Sequence, residues 1–195
     1  MNSALTTSRR SAFTLVELIA VMVVISVIGA VGAMTIQRAA AANAQVSTRG
    51  ALYAEASAAM DRIVRKVQST PVRAASNPAA PSIASFTAAT IAWDDQSALT
   101  WDAAAGTLVL RDVTAGDATG AAPVLIANVS DFSAAPFDQS NSNILTALGV
   151  TTLNAAQSGT IQRVSFQFTV TRDGQSVTLR SRAFPRCAMV RTVAP

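Results

Sequence analysis

The sequence predicts an α+β chain: one long N-terminal helix, membrane-spanning over its first half, packed on a C-terminal antiparallel β-sheet domain. Three observations carry that prediction. An apolar run from Phe13 to Ile36 holds a single charge. Helical spacing of apolar residues continues to Val67, and beyond Pro71 the apolar period falls to two.

The run comes first. Its 24 residues rise about 36 Å at the helical step, enough to cross a hydrocarbon core. Arg9 and Arg10 precede it. Its one charge is Glu17, five residues in when counted from Phe13. An ionised carboxylate in such a helix costs a few kcal/mol or more, so Glu17 reads as functional. Three readings fit a basic start followed by an apolar run: a secretory signal peptide with Val31-Gly32-Ala33 as its cleavage site, a plain single-pass anchor, or a prepilin leader. Glu17 separates them, because neither a signal peptide's apolar core nor a lipid-facing anchor gains anything from a carboxylate.

Past the run, residues 39–45 are rich in alanine and contain no helix breaker. Leu52, Ala56, Ala59, Met60, Ile63, Val64 and Val67 then share one helical face. Arg62, Arg65 and Lys66 are expected on the solvated side. Ser69-Thr70-Pro71 is a stop, since the residue before proline avoids the helical region. One helix from about Phe13 to Ser69 follows, roughly 85 Å long, its apolar stripe forming core against the sheet. Residues 72–82 follow Pro71, hold two more prolines and read as a linker.

The β region follows in order. Residues 83–93 read as a strand. Residues 99–102 and 107–111 flank residues 103–106 as a hairpin, and residues 123–129 form a short apolar strand. Residues 132–159 are polar and weakly patterned, with a loop at Asp138 to Asn143 and a short helical turn at Ile144 to Leu148. The clearest alternation is Arg163 to Thr171, which turns at Arg172-Asp-Gly-Gln175 and returns from Ser176 to Phe184, before Pro185.

Composition narrows the function. The 195 residues, half of them hydrophobic, suffice for one modest domain plus a membrane segment. The net charge is +4, but 15 basic residues less Arg9 and Arg10 leave 13 against 11 acidic, with no basic run longer than two. Nucleic-acid binding is not predicted. There is no histidine, hence neither the commonest general base nor the commonest metal ligand. The lone cysteine, Cys187, forms no disulfide within the chain and reads as buried or inert. Asp94 and Asp95 are adjacent, so on a strand they face opposite ways; they read as a turn, not an acid/base pair. The loop from Asp138 to Asn143 lacks the regular spacing of a calcium loop. Trp93 and Trp101 read as packing residues before sugar contacts. The chain is not expected to be an enzyme or to carry a metal or cofactor.

Phe13-Thr14-Leu15-Val16-Glu17-Leu18 resembles the cleavage and methylation motif of type IV pilins and of the pseudopilins of type II secretion systems. The resemblance implies a pilin-like fold with a leader at residues 1–12. A prepilin peptidase/methyltransferase would cut on the cytoplasmic side between Ala12 and Phe13 and methylate the Phe13 amine. It implies that Glu17 pairs with the terminal amine of a neighbouring subunit during assembly, which would neutralise its charge. The family has glycine before the cut; this chain has Ala12, the closest substitute in size. The expected divisions are 13–37 for the transmembrane and assembly half of the helix, 38–70 for its amphipathic half and 71–195 for the β-rich headpiece. The implied location is the bacterial inner membrane, single-pass, with the headpiece in the periplasm, and the implied partners are other pilin or pseudopilin subunits. More narrowly, Thr107-Leu-Val-Leu-Arg111, then Leu125-Ile-Ala-Asn-Val129, a variable loop, a terminal hairpin and Pro185-Arg186 resemble J-type minor pseudopilins, with Cys187 where many of these carry asparagine. Such subunits stand at or near a fibre tip. The alternative from another class is a membrane-tethered or secreted β-rich binding domain.

Overall fold

A computed structural model describes residues 14–73, 80–113 and 122–186. The chain divides into two compact units, Met1–Val46 and Ser47–Pro195. Helix α1, Leu15–Gln68, starts in the first and ends in the second. Its first turn is capped by Thr14, whose Oγ1 accepts from the Glu17 amide at 3.3 Å and whose carbonyl accepts from Leu18. In the first unit the apolar side chains of α1 are exposed. Among the described residues this is the one helix long and apolar enough to cross a membrane.

In the second unit, Leu52, Ala56, Ala59, Met60, Ile63 and Val67 are buried and Val64 is partly so, as the stripe predicts. The helix ends where its last carbonyls find side-chain donors: the Ser69 and Thr70 hydroxyls both donate to the Lys66 carbonyl. Pro71 then forbids another turn.

Among the described residues nine strands follow. They are β1 (Ile83–Thr87), β2 (Thr90–Trp93), β3 (Ala98–Asp102), β4 (Thr107–Arg111), β5 (Val124–Ala127), β6 (Val129–Phe137), β7 (Thr152–Leu153), β8 (Arg163–Arg172) and β9 (Gln175–Ala183). Two short helices, α2 (Ile144–Leu148) and α3 (Ala155–Ser158), bracket β7. The strands form two antiparallel sheets, ordered β5-β4-β3-β2-β1-β7 and β6-β8-β9. The α+β architecture is therefore the predicted one, but the strands are divided between two sheets instead of forming one. The break falls at Asn128, whose φ of 60° turns the chain out of one sheet and into the other. Its carbonyl accepts from Thr171 of β8, while the next amide, Val129, donates to Gly106 at the β3–β4 turn.

Two further elements differ from expectation. Residues 83–93 form a hairpin, not one strand. Its turn is held by the Thr87 hydroxyl, which accepts from the Ala89 and Thr90 amides at 3.2 and 2.8 Å. Residues 129–137, read as a strand end running into unpatterned chain, form the long strand β6. A bulge between Val129 and Asp131 breaks its alternation, and its inward residues Ala134 and Pro136 are weak strand formers. Pro136 is tolerated because β6 is an edge strand. The predicted hairpins β3–β4 and β8–β9 are present, the second turning on Asp173 and Gly174, both at positive φ.

The core joins the α1 stripe to both sheets through Phe86, Ile91, Leu99, Leu108, Phe166 and Phe168, among others. Full burial of each such side chain contributes about 1.5–3 kcal/mol.

Candidate functional site

The N-terminal part of α1 carries the first candidate site. Glu17 is exposed and lies beside a shallow apolar hollow lined by Ala20, Val21, Val24 and Ile25. Other polar side chains of this stretch are satisfied within the helix: Ser26 donates to the Met22 carbonyl at 2.7 Å and Thr35 to the Gly32 carbonyl at 2.8 Å. The Glu17 carboxylate makes no hydrogen bond or ion pair among the described residues. In a lipid or helix-packed setting it needs a cation from outside this helix. Ala12 and Phe13 lie outside the described residues, as does Cys187.

A second polar cluster lies in the Ser47–Pro195 unit, and sequence reading missed it. Lys66 is not on a solvated face; it is 7% exposed. Its Nζ donates to Asp112 Oδ1 and Ser97 Oγ at 2.9 Å and to Asp95 Oδ2 at 3.2 Å, and stands 5.5 Å from the centre of the Trp93 ring. A buried ammonium is stable only with such partners. The signal was available: Lys66 lies seven residues after Ala59 and three after Ile63, on the buried face. Arg62 and Arg65 are exposed, as expected.

Asp94 and Asp95 do form a turn, and each serves a different cation. Arg73 Nε donates to Asp94 at 2.8 Å, and the same guanidinium reaches the carbonyls of Ile83 and Ala155. The hydrogen bond from Arg73 lowers the Asp94 pKa against the opposing cost of burial, aided by Ser82 and the Arg73 charge. Burial works against ionised Asp95; hydrogen bonds from the Ser97 backbone and side chain and from Lys66 outweigh it, so its pKa is also lowered. Both acids are engaged as ion-pair partners, which is structural work rather than proton transfer.

The remaining candidates pack or cap. Trp93 is buried, its Nε1 donating to Thr70 Oγ1 at 2.9 Å, and half-buried Trp101 lies 6.3 Å from the Phe132 ring centre. In the Asp138–Asn143 loop, Asp138 accepts from the Ser142 amide, Asn141 from Arg163, and Asn143 caps α2 through the Leu145 amide. These oxygens hold the loop. Among the described residues, no group of three His, Cys, Asp or Glu side chains is placed to hold a metal.

A family model described as the prokaryotic N-terminal methylation motif matches residues 7–33. The matched segment contains Ala12, Phe13 and Glu17. Neither the curated proteins nor the solved structures give a match to the chain. The motif supports a type IV pilin-like chain, a class of structural subunits. A long apolar N-terminal helix followed by antiparallel sheets is the pilin-like architecture.

Proposed function

We propose that this chain is the precursor of a prepilin-type structural subunit that anchors in the bacterial inner membrane by α1 and joins other pilin-like subunits through it. Residues 1–12 are removed by a prepilin peptidase at Ala12–Phe13, and the Phe13 amine is methylated. Residues 13–37 insert and assemble, residues 38–70 support the headpiece, and residues 71–195 stand in the periplasm. The observation that carries this reading is Glu17: one carboxylate, exposed on an otherwise uncharged helical run, inside a matched methylation motif. A neighbour's N-terminal amine is the cation that makes a buried carboxylate tolerable and sets subunit register.

The finer assignment is a minor subunit at or near the tip of a type II secretion pseudopilus or type IV pilus. Its support is the order of β3–β4 hairpin, β5, loop and terminal β8–β9 hairpin, which resembles J-type minor pseudopilins.

The test is Glu17→Ala, with Glu17→Gln beside it. Both remove the charge and favour residence in lipid, so membrane level is maintained. Both leave the partner's amine unneutralised, so cross-linking to partner subunits falls. Parental cross-linking by both variants would remove Glu17 from assembly.

A further inference from the structure

The sheet β6-β8-β9 turns one face to the core and the other outward. On the outer face the register aligns Ala135, Ser165 and Arg182 in one row and Ser133, Gln167 and Arg180 in the next. The small side chains of the first two strands leave a trough of about 560 Å³ beside the arginines. Both arginines are exposed, and neither guanidinium makes a hydrogen bond or ion pair among the described residues. The acids nearest in this sheet stand elsewhere: Asp131 and Asp138 on or beside β6, the opposite edge, and Asp173 in the β8–β9 turn. Among the described residues β9 is an edge strand, pairing with β8 alone over nine residues, Gln175–Ala183.

We propose that β9 is a docking edge for an extended acidic segment of another protein, which adds to the sheet as a fourth strand and sets carboxylates at alternate residues against Arg180 and Arg182.

An open edge presents unpaired backbone donors and acceptors, the usual source of affinity in strand addition. Side chains two apart on one strand face stand about 6.7 Å from each other, the spacing of alternate side chains on an added strand. Opposite charges directly across two strands attract, and guanidinium matches carboxylate in a two-pronged geometry. The same charges disfavour a second copy, since pairing β9 with β9 gathers four arginines along one seam. Nucleic acid fits less well: among the described residues the one exposed aromatic next to the arginines in sequence is Phe184, past the end of β9, so no row of stacking platforms runs along them.

The experiment uses the full chain in detergent micelles and a labelled nine-residue peptide alternating Glu with Thr, followed by fluorescence anisotropy at low salt. Saturable binding is expected. Arg180→Glu with Arg182→Glu should weaken it by about tenfold or more, as loss and reversal of close charge pairs does. A Lys-Thr peptide should bind that double variant in preference to the parent, which also shows that the variant is folded. N-methylating the peptide's backbone amides should abolish binding to the parent. Absence of saturable binding, equal binding by the double variant, or indifference to N-methylation would overturn the proposal. So would an oligothymidylate binding as tightly as the peptide, which would mark a general anion face.

Discussion

Replacing Lys66 by methionine tests the helix-to-headpiece joint. Methionine keeps the length of the side chain and its apolar stem and removes the ammonium. Asp95 and Asp112 then both lose the ammonium they share, at side-chain exposures of 31% and 19%. Removing one partner from a buried pair costs about 3–5 kcal/mol. Water reaches both carboxylates here, which places the expected loss near the lower bound, about 3 kcal/mol. Against a typical total of about 5–15 kcal/mol that is a large fraction. For a domain of this size it lowers the melting midpoint by about 10 °C. Urea and thermal unfolding of the full chain in micelles, followed by tryptophan emission, measure it, because Trp93 lies beside the substituted position. Adding Asp95→Asn to Lys66→Met removes one of the two carboxylate charges, while the side-chain oxygen can still accept from the Ser97 amide, and should recover part of the loss. A Lys66→Met midpoint within about 0.5 kcal/mol of the parent, the range of ordinary surface changes, would refute the buried network. So would a double variant that is weaker still.

Ile63→Ala, at a fully buried position of the stripe, should cost about 2–5 kcal/mol in the same urea assay, whereas Arg62→Ala on the exposed face should stay within about 0.5 kcal/mol. Acid should destabilise the headpiece in a defined window. The folded pKa values of Asp94 and Asp95 lie below the unfolded value, so their contribution is complete above about pH 4 and is lost as the pH falls through the folded values. Thermal midpoints measured from pH 7 down to pH 2 should be flat and then fall, and Asp94→Asn should flatten the fall. A midpoint that rises on acidification would contradict the assigned ion pairs.

What the sequence disclosed and what it hid divide along contact distance in the chain. The α1 stripe from Leu52 to Val67, the Asp173-Gly174 hairpin and the methylation motif are local patterns and were legible. Lys66 was misread because its carboxylate partners, Asp95 and Asp112, lie 29 and 46 residues downstream. The β1–β2 turn carries no glycine or asparagine; the Thr87 hydroxyl builds it, leaving no turn signature. Strand β6 was hidden by its bulge and by Ala134 and Pro136 at inward positions. The division into two sheets rests on one left-handed residue, Asn128, within a run that reads as a single strand. Glu17 stood out for the opposite reason: a charge inside an apolar helix needs no tertiary information to be anomalous.

Cleavage between Ala12 and Phe13 would define the mature N-terminus, which is read from the N-terminal peptide mass of the chain recovered from bacterial membranes. The expected first residue is Phe13 carrying one methyl group on its amine, with residues 1–12 absent. A chain beginning at Met34 would show ordinary signal-peptide processing, and an intact Met1 would show a plain anchor; either result would contradict the prepilin reading.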